Sequence, residues 1–176
     1  MIESIKWFDR QFSFDLPVWM YPNVVERLRG VPARVEDRVR ALPREILTRR
    51  DGDNWSIQEH VGHLLDLEPL GMRRLDEFSA GQESLSSADL ENRKTWEANH
   101  NARTITEILA VLRSARSEFV QRLENFDEAF IQRTSLHPRL KKPIRVLDLA
   151  FFIAEHDDHH LAQISALIRL WNKFHS

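Results

Sequence analysis

The sequence predicts an all-α protein folded as an antiparallel four-helix bundle. Three observations carry this. Only 5 glycines occur in 176 residues. Apolar residues recur at the helical period of about 3.6, and strand-like alternation is scarce. Two capping boxes, SIQE at 56–59 and TITE at 104–107, open long amphipathic segments, each pairing a Ser or Thr cap with a Glu three positions on.

The segment FDLPVWMYPNVVERLRGVPARVEDRVRALP reads as one helix interrupted near Gly30, with Pro32 opening its second part. A polar loop follows, turned at Asp51-Gly52-Asp53. The second helix starts after Ser56 and runs to about Ala80, with Gly81 beyond it. Pro69 inside it is expected to kink or break it, because proline removes a helical N–H and clashes with the preceding turn. Residues 82–103 are polar and read as a long connection with one short helix around Trp96. The third helix spans Ile105 to about Leu123, with Ile105, Ile108, Leu109, Leu112, Phe119 and Leu123 as its apolar stripe. After the loop SLHPRLKKP, the last helix is expected from Pro143 to about Lys173. Four long amphipathic helices suit a bundle, and a chain of this length is one domain, residues 1–176.

Composition excludes several functions. The net charge is −2 and the pI near 6.5, so neither nucleic acid nor an anionic membrane is an expected partner. No cysteine is present, which removes disulfides, thiolate nucleophiles and Cys-ligated metals. The start, MIESIKWFDRQFSF, lacks an apolar h-region, and LAFFIA is far too short to span a membrane. A cytoplasmic location is the resulting expectation.

The chemistry is concentrated in AEHDDHHLAQI, residues 154–164, inside the last helix. At roughly 100° per residue, His156 and His160 fall on the arc of Leu149, Ile153, Leu167 and Trp171. Two histidines at i and i+4 on one face can present two imidazoles to one metal ion. The plainer alternative is a solvated polar patch; Asp157 and Asp158 either orient the histidines or another helix, or lie on a solvated or ion-paired face. A third ligand must come from another helix, and the second offers His60 and His63. Periodicity favours His60, which lies nearer the centre of the arc of Ile57, Val61, Leu64 and Leu75. Three neutral imidazoles suit Zn²⁺, Ni²⁺ or another borderline divalent ion. With an open position, such an ion activates a water or a thiolate.

The stretches NWSIQEHVGHLLDLE and HPRLKKPIRVLDLAFFIAEHDDHHLAQI resemble the DinB-like superfamily of metal-binding four-helix bundles, which includes YfiT-type proteins. In that family a Trp-Ser/Thr start to the second helix precedes, by eight residues, a metal-binding histidine. Trp55 and His63 match that spacing. The family's His-x-x-x-His pair corresponds to His156 and His160, and a histidine just before the latter, here His159, recurs in YfiT-like members. The helix order and the long connection before the third helix are also similar. The resemblance therefore implies the ligand set His63, His156 and His160, selecting His63 over His60. It implies one divalent ion and a small-molecule substrate. Members include S-transferases and an isomerase dependent on low-molecular-weight thiols, and YfiT-type members are described as candidate metal-dependent hydrolases. Members often dimerise through helix faces, which implies a homodimer. A non-enzymatic metal-stabilised module that binds a small ligand or a stress signal is the alternative.

Other residues are weighed beside these. Glu59 and Asp66 flank the ligand helix and are placed to hydrogen-bond a ligand ring; capping explains Glu59 without that. His159 belongs to the cleft wall or supports a ligand, His60 is a partly buried helix residue beside the site, and Gln163 lines the cleft or packs between helices. The long connection is of a length that covers a site, with His100 expected to be exposed. His137 is expected in a turn, and His175 at a frayed end.

Overall fold

The structure, a computed structural model, describes residues 5–172. Its elements are α1 (Tyr21–Arg29), α2 (Val31–Val39), α3 (Arg44–Leu47), α4 (Ile57–Ser79), α5 (Arg93–Glu97), α6 (Ile105–Glu124), α7 (Glu128–Ile131), β1 (Thr134–His137), β2 (Lys142–Arg145) and α8 (Val146–Asn172), with a short 3-10 turn at Trp7–Asp9. The four-helix bundle expected from the sequence is present, built from α1–α2, α4, α6 and α8. The break at Gly30 falls where the sequence places it. Both capping boxes form: Ser56 Oγ accepts from the Glu59 N–H while the Glu59 carboxylate accepts from the Ser56 N–H, and Thr104 and Glu107 do the same.

Three local expectations need correction. Pro69 does not break α4, which runs on through it. The cost of the missing N–H is met by packing on α6 and α8 along the helix. The loop before the last helix is an antiparallel hairpin, β1 with β2, which pairs Leu136 with Pro143. Pro143 therefore lies in a strand, and α8 begins at Val146, where Asp148 accepts from the Arg145 backbone N–H at 2.9 Å. His137, expected in a turn, is the buried end of β1. The expected end of the last helix at Lys173, and His175, lie outside the described residues.

The helix directions explain the long connection. Along α4 and α6, Gln58 meets the carbonyls of His100 and Arg103, Glu68 meets Arg116, and Gly71 meets Phe119, so these neighbours run the same way and not antiparallel as expected from the sequence. Against α8 the order reverses: His60 meets His160 and His63 meets His156. Both α1–α2 and α4 pack on α6 and α8, which puts the first and second long helices on a diagonal. Because α4 and α6 are parallel, the chain must return along the bundle between them, and residues 80–104 make that return. On the way the connection docks on the hairpin, where the Leu136 N–H donates to the Glu83 carbonyl and the Leu85 N–H to the Leu136 carbonyl.

Two apolar clusters fill the bundle. One holds Leu28, Leu75, Phe78, Phe119 and Leu149; the other holds Val35, Ile57, Leu64, Leu112 and Ile164. On α4, α6 and α8 the residues between the clusters include polar ones, Glu68, Arg116 and His156 to His160, and His63 adjoins them at the edge of the second cluster. A polar layer thus crosses the middle of the core, and the candidate site lies in it.

Candidate metal centre

Three histidines converge in that layer. His63 from α4 and His156 and His160 from α8 each offer a ring nitrogen, and these three atoms all lie within 4.8 Å of one another. His156 Nε2 and His160 Nε2 are 3.1 Å apart. The i, i+4 spacing stacks the two rings one turn apart, and α4 runs alongside to supply the third. His63 and His160 are buried, while His156 keeps partial exposure toward a cavity.

Burial sets the charge of the group. It pushes His63 down to about 4 and holds His156 and His160 well below the ordinary histidine value, and mutual repulsion among the rings adds to this for the latter two. All three rings are therefore neutral at neutral pH and offer lone pairs.

The ring orientations are held from behind. His63 Nδ1 lies 3.0 Å from Thr95 Oγ1, which donates to Asp66 Oδ2 at 2.9 Å. Since Thr95 spends its proton on Asp66, it accepts from His63 Nδ1–H, which leaves His63 Nε2 as the lone pair. His100 Nε2 closes the set by bonding the same Asp66 oxygen at 2.8 Å. The His100 ring packs directly on Gly62, where a Cβ would meet it at 2.2 Å. That close approach is why a glycine sits in mid-helix beside a ligand candidate. On the other side, His60 Nδ1 and His160 Nδ1 are 2.9 Å apart. Trp55 covers the cluster, with its ring 4.6 Å from that of His63 and 6.0 Å from that of His160.

The sequence candidates thus separate. His63 joins the converging group with His156 and His160, and His60 sits behind His160. His159 is half-buried in the cavity wall, where Arg10 Nη2 meets its Nδ1 at 3.3 Å. Glu59 is taken up by its cap and by Arg50, whose Nε donates to Glu59 Oε2 at 2.9 Å, so it touches no ligand candidate. Gln163 is half-buried and outside the cavity wall. Asp66 supports His63 only through Thr95. His100, expected to be exposed, is buried, because Asp66 needs a partner and Gly62 leaves room for the ring. Asp158 is ion-paired on the helix face, accepting from Arg27 Nε at 2.8 Å and Arg34 Nη1 at 2.7 Å. Asp157 instead points inward, where Arg116 bridges it at 2.6 Å and Glu68 at 2.5 Å, all three buried.

A cavity of about 590 Å³ opens in front of the histidines. Its walls come from α4, α6 and α8, from the connection at Ser87 to Leu90, from the hairpin at His137 to Arg139, and from Trp7. Sequence reasoning missed Thr95, Trp7, His137, Arg139 and the Glu68–Arg116–Asp157 triad. A mid-helix glycine next to a ligand candidate was the available signal for His100.

Comparison with known proteins agrees with this architecture. The family model of the DinB superfamily matches residues 27–164. No curated protein matches the sequence. Among solved structures, YfiT from Bacillus subtilis, described as a probable metal-dependent hydrolase with an unusual four-helix bundle topology, is similar with a TM-score of 0.73 at 22% identity, over 93% of this chain and 94% of that one. A mycothiol-dependent maleylpyruvate isomerase is similar with a TM-score of 0.67 at 10% identity, over 88% of this chain and 63% of that longer one. At these identities the two structures speak to the fold, whereas the family match spans most of the sequence: the chain belongs to the DinB superfamily.

Proposed function

We infer that this single domain is a metal-dependent enzyme in which His63, His156 and His160 hold one divalent ion, zinc or nickel, and a small substrate occupies the cavity before it. The observation that carries this is the convergence of three neutral imidazole nitrogens within 4.8 Å at the wall of a 590 Å³ cavity. The donor set fits such an ion: borderline nitrogen ligands, uncharged, with the His63 tautomer fixed by Thr95. A divalent ion held there would lower the pKa of a water or thiol brought to its open position.

The protein's own groups favour that chemistry over a side-chain base. Arg10 donates to His159 Nδ1, which takes the one lone pair of a neutral imidazole. Glu68 and Asp157 are committed to Arg116, and Asp89 accepts from the Glu91 and Arg93 backbone N–H groups. The work left to the chain is to orient the imidazoles, exclude bulk water through Trp55 and Trp7, and shape the cavity.

Hydrolysis and thiol transfer both fit this site. YfiT supports the first by its description and the isomerase supports the second by its dependence on mycothiol. The test is to load the protein with zinc or nickel and assay small esters and amides, then thiols with a small electrophile. Turnover in one assay that is lost in His156→Ala supports the reading. Turnover equal in the metal-free protein contradicts it.

One observation favours a second reading. The histidines join α4 to α8 between the two halves of the core, so an ion there would staple the bundle. A large rise in melting temperature on metal addition, without turnover of any kind, would support a structural ion.

A further inference from the structure

The cavity wall beside the histidines holds two buried donor atoms, on Arg139 and His137, that no described residue satisfies. Arg139, at the hairpin, makes neither a hydrogen bond nor an ion pair to a described residue, and its Nη2 is buried without a partner. Its guanidinium is held only by aromatic faces, 5.5 Å from the ring centre of Trp7 and 5.3 Å from those of Phe8 and Phe152. His137 is 2% exposed and accepts from the Leu140 N–H at Nδ1, 3.3 Å away. The proton of the neutral ring is therefore on Nε2, which is also buried and unpartnered. Arg74, buried in the same wall, gives Nε and Nη2 to the Ser86 carbonyl rather than to a carboxylate. Burial lowers it to about 10, the charge of Glu77 opposes this, and the charge of Arg139 adds to it. Arg74 and Arg139 likewise help to keep His137 uncharged.

Unmet buried donors of this kind are costly. Arg74 has the carboxylate of Glu77 as a neighbouring negative charge, whereas Arg139 has none among the described residues, and a partly desolvated cation needs one. The carboxylates of the cavity do not supply it: Glu68 and Asp157 are taken by Arg116, and Asp89 by its own loop. Much of the remaining wall is apolar, with Leu67, Leu70, Phe119 and Ile153, beside the polar Ser87, Asn92 and Lys141. Trp7 touches both groups, its ring 4.9 Å from that of His156 and 5.5 Å from the Arg139 guanidinium.

We propose that Arg139 and His137, backed by the charge of Arg74, form a subsite for the anionic group of a small organic acid whose apolar body lies along the cavity and whose other end reaches the three histidines. A planar guanidinium binds carboxylate or phosphate oxygens in pairs. This deepens the proposed function, and rests on it only in taking the anion to be part of the substrate.

The test is calorimetric titration of the full chain, as purified and after EDTA, with phenylacetate, phenyl phosphate and phenylacetamide. Phenylacetate or phenyl phosphate should bind at one per chain and at least tenfold tighter than the neutral amide, in both protein forms. Arg139→Gln should weaken the anion at least tenfold, and Arg139→Lys should recover part of the loss. Circular dichroism checks that each variant is folded, and if EDTA unfolds the chain the as-purified samples decide. The tighter of the two anions, with the same dependence on Arg139, names carboxylates or phosphate monoesters. Equal binding of anion and amide, or full anion affinity in folded Arg139→Gln, overturns the subsite. Metal uptake reads the other inference separately: protein that takes up no ion when zinc or nickel is supplied, yet binds phenylacetate through Arg139, keeps the subsite and refutes the metal.

Discussion

His63 Nδ1 and Thr95 Oγ1 are 3.0 Å apart, and this contact fixes which nitrogen of His63 faces His156 and His160. Thr95→Val keeps the volume and removes the acceptor. It should weaken metal binding by about 10–100-fold, the usual cost of losing a group that orients a ligand histidine, while Thr95→Ser stays near wild type. Competition against a chromogenic chelator measures both.

Gly62 owes its identity to His100. A Cβ there meets the imidazole at 2.2 Å, so Gly62→Ala must push the ring off Asp66. Overpacking costs about 1–3 kcal/mol, to be read as a lowered melting temperature. The same variant should also lose metal affinity, because Asp66 and Thr95 move with His100.

These contacts show why the sequence revealed part of the site and not the rest. His156 and His160 are legible because four residues make one helical turn, and the bundle is legible from its stripes and caps. Choosing between His60 and His63 is not a matter of periodicity, since both fall on the inner side of α4 and only the position of α8 separates them. Thr95 and His100 lie in the polar connection, where no period exists, and it is the parallel run of α4 and α6 that lays this connection against His63. The hairpin escaped because its four-residue strands, TSLH and KPIR, carry no clear alternation and contain a proline. Asp157 and Asp158 cannot be told apart in the sequence as inward and surface acids, because the partners of Asp157, Arg116 and Glu68, come from two other helices.

That triad yields a third prediction. Arg116→Met leaves Glu68 and Asp157 buried without their cation, and should destabilise by about 3–5 kcal/mol. Burial already raises both carboxyl pKa values, and without Arg116 they rise further. Folded-state values above the unfolded ones give stability that is present at low pH and lost as pH rises through them. The variant should therefore be more impaired at pH 8 than at pH 5 in urea melts. Replacing all three residues by apolar ones of similar size should restore much of the loss.

His137 gives a prediction of opposite sign. Burial, with Arg74 and Arg139 near, pushes it down to about 4. The unfolded chain binds its proton from about pH 6.5 downward and the folded chain only near 4, so this group removes stability as pH falls between those values. His137→Asn, which retains an acceptor for the Leu140 N–H, should show a smaller drop in melting temperature between pH 7 and pH 5 than wild type.

The most direct test of the central claim is metal stoichiometry by mass spectrometry on the purified wild type and on single alanine variants of five histidines. The account predicts one divalent ion per chain in wild type, less than about a tenth of that in His63→Ala, His156→Ala and His160→Ala, since each removes one of three ligands, and near-full content in His60→Ala and His159→Ala. A wild type that takes up no ion when zinc or nickel is supplied, or ligand variants that hold it as well as wild type does, would contradict it.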